Sequence, residues 1–162
     1  MKTSTIKRVL IALDYDKSLQ KIAESGFSLA KAMDAEVVLL HVITDPVYYA
    51  LTEYSPIMGF TGEIDLGPIQ LDSIDGLKKA SNHFLEKIKH HLGDDTIKTI
   101  LKDGDFAESI ITAAREEHAD LIVMGSHSRR WLDDILMGSV TEKVLHLTTL
   151  PMYIIPIKRV KE

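Results

Sequence analysis

The feature that most restricts the fold is an alternation of two hydrophobic periods along the chain. Short apolar runs rich in Val, Ile and Leu recur at residues 9–13, 37–42, 97–101, 121–124 and 152–155. Each is too short for a helix and too uniformly apolar for a half-solvated strand, so each reads as a strand buried on both faces. Between them the period changes to that of a helix. Leu19, Ile22, Ala23, Gly26, Phe27, Ala30 and Met33 form one stripe. A second stripe spans about 72–92, with Ile74, Leu77, Phe84, Leu85, Ile88 and Leu92, and Gly93 is placed to end it. A third helix opens at Asp105, with Glu108 three residues on as an aspartate capping box, and carries Phe106, Ala107, Ile110, Ile111 and Ala114. A fourth runs from Ser139 to about Leu147 on Val140, Val144 and Leu147, ahead of Pro151. Strands alternating with helices imply right-handed βαβ crossovers and a parallel sheet covered on both sides. In such sheets a ligand sits beyond the carboxyl ends of the strands where the strand order reverses. That rule points to Asp14, to Thr44 and Asp45, and to the stretch beginning at Gly125.

One segment breaks the alternation. Residues 43–71 hold Pro46, Pro56, Pro68, Gly59, Gly62 and Gly67 together with Tyr48, Tyr49, Tyr54 and Phe60, without a sustained period. A loop of that length with four aromatic residues is expected to pack on the domain, a ligand or a partner. At 162 residues the chain is expected to be one domain, 1–162, with this loop as an insertion. Composition then removes whole classes of function. A formal charge of -5 gives no global attraction to nucleic acid or to an anionic membrane, so a polyanion would need a local site. The absence of cysteine excludes disulfides, thiolate metal sites and cysteine nucleophiles, and fits a reducing compartment. The first apolar run ends at Asp14, too early for an export signal, and no run is long enough to span a bilayer, which leads to a cytoplasmic protein without membrane insertion.

The stretch after the fourth strand carries the chemistry. Gly125-Ser126-His127-Ser128-Arg129-Arg130 is followed by Trp131 and, after a short interval, by Gly138-Ser139-Val140-Thr141-Glu142 opening a helix. A helix start offers backbone N–H groups and a positive dipole end to a phosphate. Gly138 permits close approach, Ser139 adds a hydroxyl, and Arg129 and Arg130 add charge. The competing structural reading is a Ser139–Glu142 capping box serving the helix alone. Neither the P-loop nor the dinucleotide glycine fingerprint is present. Other groupings are weaker. His83, Glu86 and His90 share a helix face, but the two histidines stand roughly 10 Å apart along the axis, too far for one ion. Ser126, His127 and Asp133 lack a nucleophile elbow. The basic tail with Lys158, Arg159 and Lys161 reads as solvated.

The combination resembles the universal stress protein family. Its nucleotide motif, Gly-x-x-Gly-x9-Gly-Ser/Thr, corresponds here to Gly125, Ser128 and Gly138-Ser139, within Asp120-Leu121-Ile122-Val123-Met124-Gly125-Ser126-His127 and Gly138-Ser139-Val140-Thr141-Glu142-Lys143-Val144. The order of elements matches from about Lys7 to Ile157. The resemblance implies an adenine nucleotide alpha hydrolase-like α/β fold, an open five-stranded parallel sheet of order 3-2-1-4-5 with helices on both faces. In the ATP-binding branch the nucleotide lies across the ends of strands one and four. By position, Ala12, Leu13 and Asp14 then border adenine and ribose, with Val42 and Met124 at the base. Gly125, His127, Ser128, Arg129, Gly138, Ser139, Val140 and Thr141 surround ribose and phosphates. The expected cofactor is ATP, with or without Mg. The expected assembly is a homodimer through the last strand, from Met152 to Ile157, with an unidentified regulatory protein as a further partner. Ser128 replaces the second motif glycine. If that position requires positive φ, the replacement costs about 1 to 2 kcal/mol, or about 5- to 30-fold in affinity.

Three functions follow as alternatives. The first is an ATP-binding regulator of the stress response whose occupancy is read by partners. The second is a nucleotide-independent interaction module in which Ser128 marks loss of the site. The third is a slow ATPase or autophosphorylating protein with Ser139 or Thr141 as acceptor, although no residue of the phosphate stretch is an evident general base.

Overall fold

The computed structural model describes residues 5–14, 18–43, 74–126 and 138–157. They form β1 (Arg8–Leu13), α1 (Leu19–Ala32), β2 (Glu36–Ile43), α2 (Ile74–Leu92), β3 (Lys98–Asp103), α3 (Phe106–Glu116), β4 (Leu121–Gly125), α4 (Ser139–Leu147) and β5 (Met152–Ile155). The five strands make one parallel sheet in the order β3-β2-β1-β4-β5, as the alternation and the resemblance imply. Alternate residues of the strands feed two cores. Val9, Ile11, Leu39 and Val123 face α1 and α2, whereas Leu10, Val38, Leu40 and Ile122 face α3 and α4. The 43–71 loop lies outside the described residues apart from Ile43, which ends β2.

Local signals explain where the helices begin and end. Asp105 sits in extended geometry and its carboxylate accepts from the Glu108 amide at 3.0 Å, so the expected cap starts α3. Gly93 has φ +72° and donates to the Lys89 carbonyl, closing α2 in a left-handed turn that favours glycine. Two crossovers end alike. Asp34 after α1 and His118 after α3 adopt φ near +55° (55° and 54°), and the next amides, of Ala35 and Ala119, donate back to Ala30 and Ala114. Gly26 lies in the middle of α1, where a Cβ would stand 2.8 Å from Ile11 and 3.1 Å from Val123. Its missing side chain lets α1 rest directly on β1 and β4.

Two expectations are corrected. Only β1, β2 and β4 are buried on both faces; β3 and β5 are edge strands with partial exposure along most of their length. Among the described residues β3 is paired on one side only, and its Lys98, Lys102 and Asp103 make ion pairs to Glu117, Glu116 and Lys78 of the neighbouring helical segments. Charged residues on an edge also deter pairing with foreign strands. In α4 the buried line is Thr141 and Val144, and Leu147 is 50% exposed. The helix ends before its last turn returns to the sheet.

Candidate functional site

The sheet opens at its carboxyl end between β1 and β4. These strands pair from Val9↔Leu121 to Ile11↔Val123, after which β1 stays with β2 as far as Leu13↔His41 while β4 stays with β5 as far as Gly125↔Ile155. The divergence falls where the strand order reverses, the position at which α/β sheets hold ligands. A cleft open to solvent lies there, lined by residues of β1, β2, β4 and three helices. Its floor is apolar: Leu40 and Val42 from β2, Met124 from β4, Phe106 and Ile110 from α3, and Val140 from α4. Its polar side chains are Asp14 and Ser18, and Ala12, Leu13, Ile22 and Gly125 complete the lining.

Two buried groups hold this opening. His41 is 1% exposed and its Nδ1 lies 2.9 Å from the Leu13 carbonyl oxygen. A carbonyl only accepts, so the ring carries its proton on Nδ1 and donates to the end of β1. The same ring meets Phe84 of α2 edge to face, with centroids 6.4 Å apart. On the other side of the cleft, Thr141 is fully buried and its hydroxyl donates to the Gly125 carbonyl at 2.8 Å. That bond fixes the first turn of α4 against the end of β4. The Thr141 hydroxyl, one of the two proposed phosphate acceptors, is therefore committed to a structural bond, whereas Ser139 is exposed.

The start of α4 differs from the capping-box alternative. Gly138 is the cap residue, in extended geometry with φ -69°, and among the described residues no side chain caps the helix. The first helical bond runs from the Glu142 amide to the Gly138 carbonyl, so the Ser139, Val140 and Thr141 amides precede the ladder. Glu142 instead lies 3.8 Å from His146 on the exposed side of the helix.

Of the thirteen residues expected at the site, Ala12, Leu13, Asp14, Val42, Met124, Gly125 and Val140 line the cleft. Gly138, Ser139 and Thr141 form the adjoining helix start. His127, Ser128 and Arg129 lie outside the described residues, as do Arg130 and Trp131. Sequence reasoning missed Ser18, Ile22, Leu40, Phe106 and Ile110. Two of these had a signal. Leu40 is two residues before Val42 and so shares its face, and Phe106 follows the Asp105 cap at the same end of the sheet. Among the described residues no group of three or more His, Asp or Glu is placed to hold a metal. A magnesium ion arriving with a nucleotide would be held chiefly by phosphate oxygens and water, with Asp14 the acidic side chain lining the cleft.

An open parallel sheet covered on both faces, with an apolar cleft and a helix start at its switch point, defines a doubly wound α/β protein with a candidate ligand site. Within that class, the model of the Universal stress protein family matches residues 5–156, and the chain belongs to that family. Universal stress protein MJ0577 of Methanocaldococcus jannaschii is 30% identical over 153 residues, covering 92% of this chain and 94% of the relative. The solved structure of MJ0577 superposes with a TM-score of 0.68 at 27% identity, over 97% of this chain and all of that one (100%). The fold is also shared with a universal stress protein solved in complex with cAMP, at TM-score 0.58 and 17% identity over 94% of this chain and 98% of that one. The same holds for the Archaeoglobus fulgidus protein in complex with dAMP, at TM-score 0.56 and 19% identity over 96% of this chain and 100% of that one. No helix among the described residues is long and apolar enough to cross a membrane.

Proposed function

We propose that this protein is a cytoplasmic ATP-binding regulator of the stress response, in which occupancy of the cleft is the signal that partners read. The observation that carries this reading is the pairing, at the β1/β4 divergence, of an apolar slot with a helix start whose cap residue is a glycine. A planar base fits between Leu40, Val42, Phe106, Ile110 and Met124. In this reading Asp14 of the cleft takes the ribose hydroxyls, and the Ser139, Val140 and Thr141 amides, which precede the helix ladder, take the phosphates. His127, Ser128 and Arg129 are expected to complete the phosphate side. The adenine nucleotides in the cAMP and dAMP complexes of family members support the class of ligand. Asp14 and Ser139 act here as binding groups, and turnover is not required for the signal.

The assembly proposed with it is a homodimer through the last strand, from Met152 to Ile157. Among the described residues β5 pairs with β4 alone, and Tyr153 on it is 42% exposed; an edge strand of this kind is a template for a second chain. Tyr153→Asp is expected to shift the sedimentation coefficient toward that of a monomer.

The nucleotide reading is tested by heating the purified protein with millimolar Mg-ATP and by analysing nucleotide released in acid. Binding at a hundredfold excess over Kd adds about 2.7 kcal/mol of stability, and Ser128→Gly is expected to tighten it. The absence of both released nucleotide and a thermal shift would reject the proposal in favour of the nucleotide-independent module. Transfer of label from the γ-phosphate to Ser139 would instead establish autophosphorylation.

A further inference from the structure

Ser126 immediately follows the cleft-lining Gly125, yet it does not itself line the cleft. It is 7% exposed, and three of its polar groups reach three different parts of the fold. Its amide donates to the Ile155 carbonyl at 2.9 Å, at the end of β5. Its side-chain oxygen accepts from the Ile157 amide, also at 2.9 Å. Its carbonyl accepts from the Gly138 amide, at the cap of α4. The β4–β5 ladder is thus extended past Gly125↔Ile155 by one residue's main chain and hydroxyl. Ile157 is itself 7% exposed and belongs to the core on the α1 and α2 face, while the preceding Pro156 carbonyl accepts from Lys21 of α1 at 3.1 Å. A buried amide whose acceptor is a side-chain hydroxyl depends on where that one residue is held.

We propose that Ser126 is a positioning residue that couples occupancy of the cleft to the order of the chain at and after β5. The inference rests on the nucleotide reading above. A phosphate drawn to the first turn of α4 restrains Gly138, and the Thr141–Gly125 bond restrains the end of β4 from the other side. Ser126 stands between these two restraints, so fixing them fixes the hydroxyl that holds Ile157. The coupling is reciprocal, as any equilibrium linkage must be: tightening the Ile155–Ile157 segment favours the liganded cleft. Occupancy is thereby transmitted to the edge of the sheet.

Amide hydrogen exchange measured residue by residue, with and without Mg-ATP, tests this on the whole chain. In the wild type at tenfold excess over Kd, the Ile157 amide is expected to slow about tenfold if it opens only in the unliganded state. Ser126→Ala removes the acceptor and keeps both main-chain bonds. It is expected to weaken Mg-ATP binding about three- to tenfold, the range of one neutral hydrogen bond, and to abolish the ligand-dependent slowing at Ile157. Ser126→Thr, which keeps the hydroxyl, is expected to restore both. Slowing at Val140 with none at Ile157 in the wild type would overturn the coupling and leave the nucleotide reading standing. So would a Ser126→Ala protein that melts lower but binds Mg-ATP unchanged. No binding by the wild type would overturn both together. If Ser126→Ala does not fold, the wild-type exchange decides the matter alone.

Discussion

On the face covered by α1 and α2 the sheet meets large side chains: Leu19 and Ile22 from one helix, Leu77, Phe84, Leu85 and Ile88 from the other. On the opposite face α3 offers Ala107, Ala113 and Ala114, with Ala119 just beyond it, and its larger buried contribution is Ile110. Side-chain size sets how far a helix axis stands from what it packs on. The alanines bring the carboxyl-terminal part of α3 close to the sheet, while Phe106 and Ile110 stand at the end where the strands finish. The cleft opens at that end, mainly on the alanine-rich face. The difference suggests a division of labour. One face stores most of the apolar burial, and the other keeps helix and sheet near enough, at one end, to leave a shaped gap at the other.

The largest expected effect breaks the first face. Phe84 is 1% exposed, and Phe84→Ala is expected to cost about 3 to 5 kcal/mol through lost burial and the cavity left behind. Urea denaturation measures it, and a loss below about 1 kcal/mol would mean that this face is not the main store. The second effect attacks the close-packed face in the opposite sense. Ala113 is fully buried, so Ala113→Leu is expected to cost about 1 to 3 kcal/mol by overpacking. A neutral result would show that α3 can lift away from the sheet.

The third effect concerns how α3 is started rather than how it is packed. Asp105→Ala removes the side chain that accepts from the Glu108 amide and is expected to cost about 1 kcal/mol. That amide, and to a lesser degree Lys143, holds the Asp105 carboxyl below its ordinary range. Asp105→Asn, which still accepts the amide, is expected to recover most of the loss in thermal melting.

The two faces also differ in how readable they were. β1, β2 and β4 stand out as apolar runs because helices cover both of their sides, and their limits fall within about one residue of those expected. β3 was placed at 97–101 and lies at Lys98–Asp103, because an edge strand held by ion pairs replaces part of its apolar run with Lys98, Lys102 and Asp103. The strand-end rule points to Asp14 and Gly125, which line the cleft, and to Thr44 and Asp45, which lie outside the described residues; Ala12, Leu13, Val42 and Met124 follow from the family resemblance. It passed over Phe106 and Ile110, whose spacing on α3 already accounted for them as core. Gly138 as the cap of α4, and the bonds from Thr141 to Gly125 and from Ile157 to Ser126, join residues 16 and 31 positions apart in chains of contact that no local pattern encodes.

The smallest effect is a pH dependence confined to the large-residue face. Asp94, in the turn between α2 and β3, accepts from the hydroxyl and the amide of Thr96 and pairs with Lys31 of α1 at 3.1 Å. The Thr96 hydroxyl most of all, then its amide and Lys31, lower the Asp94 carboxyl from its ordinary 3.8 to about 2. A carboxyl depressed in the folded state stabilises the fold above its unfolded value and loses that contribution as pH falls through the folded one. The stability difference between wild type and Asp94→Asn is therefore expected to be constant from neutral pH down to about 4 and to shrink between about 4 and about 2. Because the Lys31 side chain is 60% exposed, salt is expected to reduce the part contributed by Lys31 and to spare the part contributed by Thr96. Paired acid titrations at low and high salt, followed by circular dichroism, separate the two. A difference that vanishes at high salt would assign the effect to Lys31, and with it to the contact between α1 and the α2–β3 turn rather than to the turn itself.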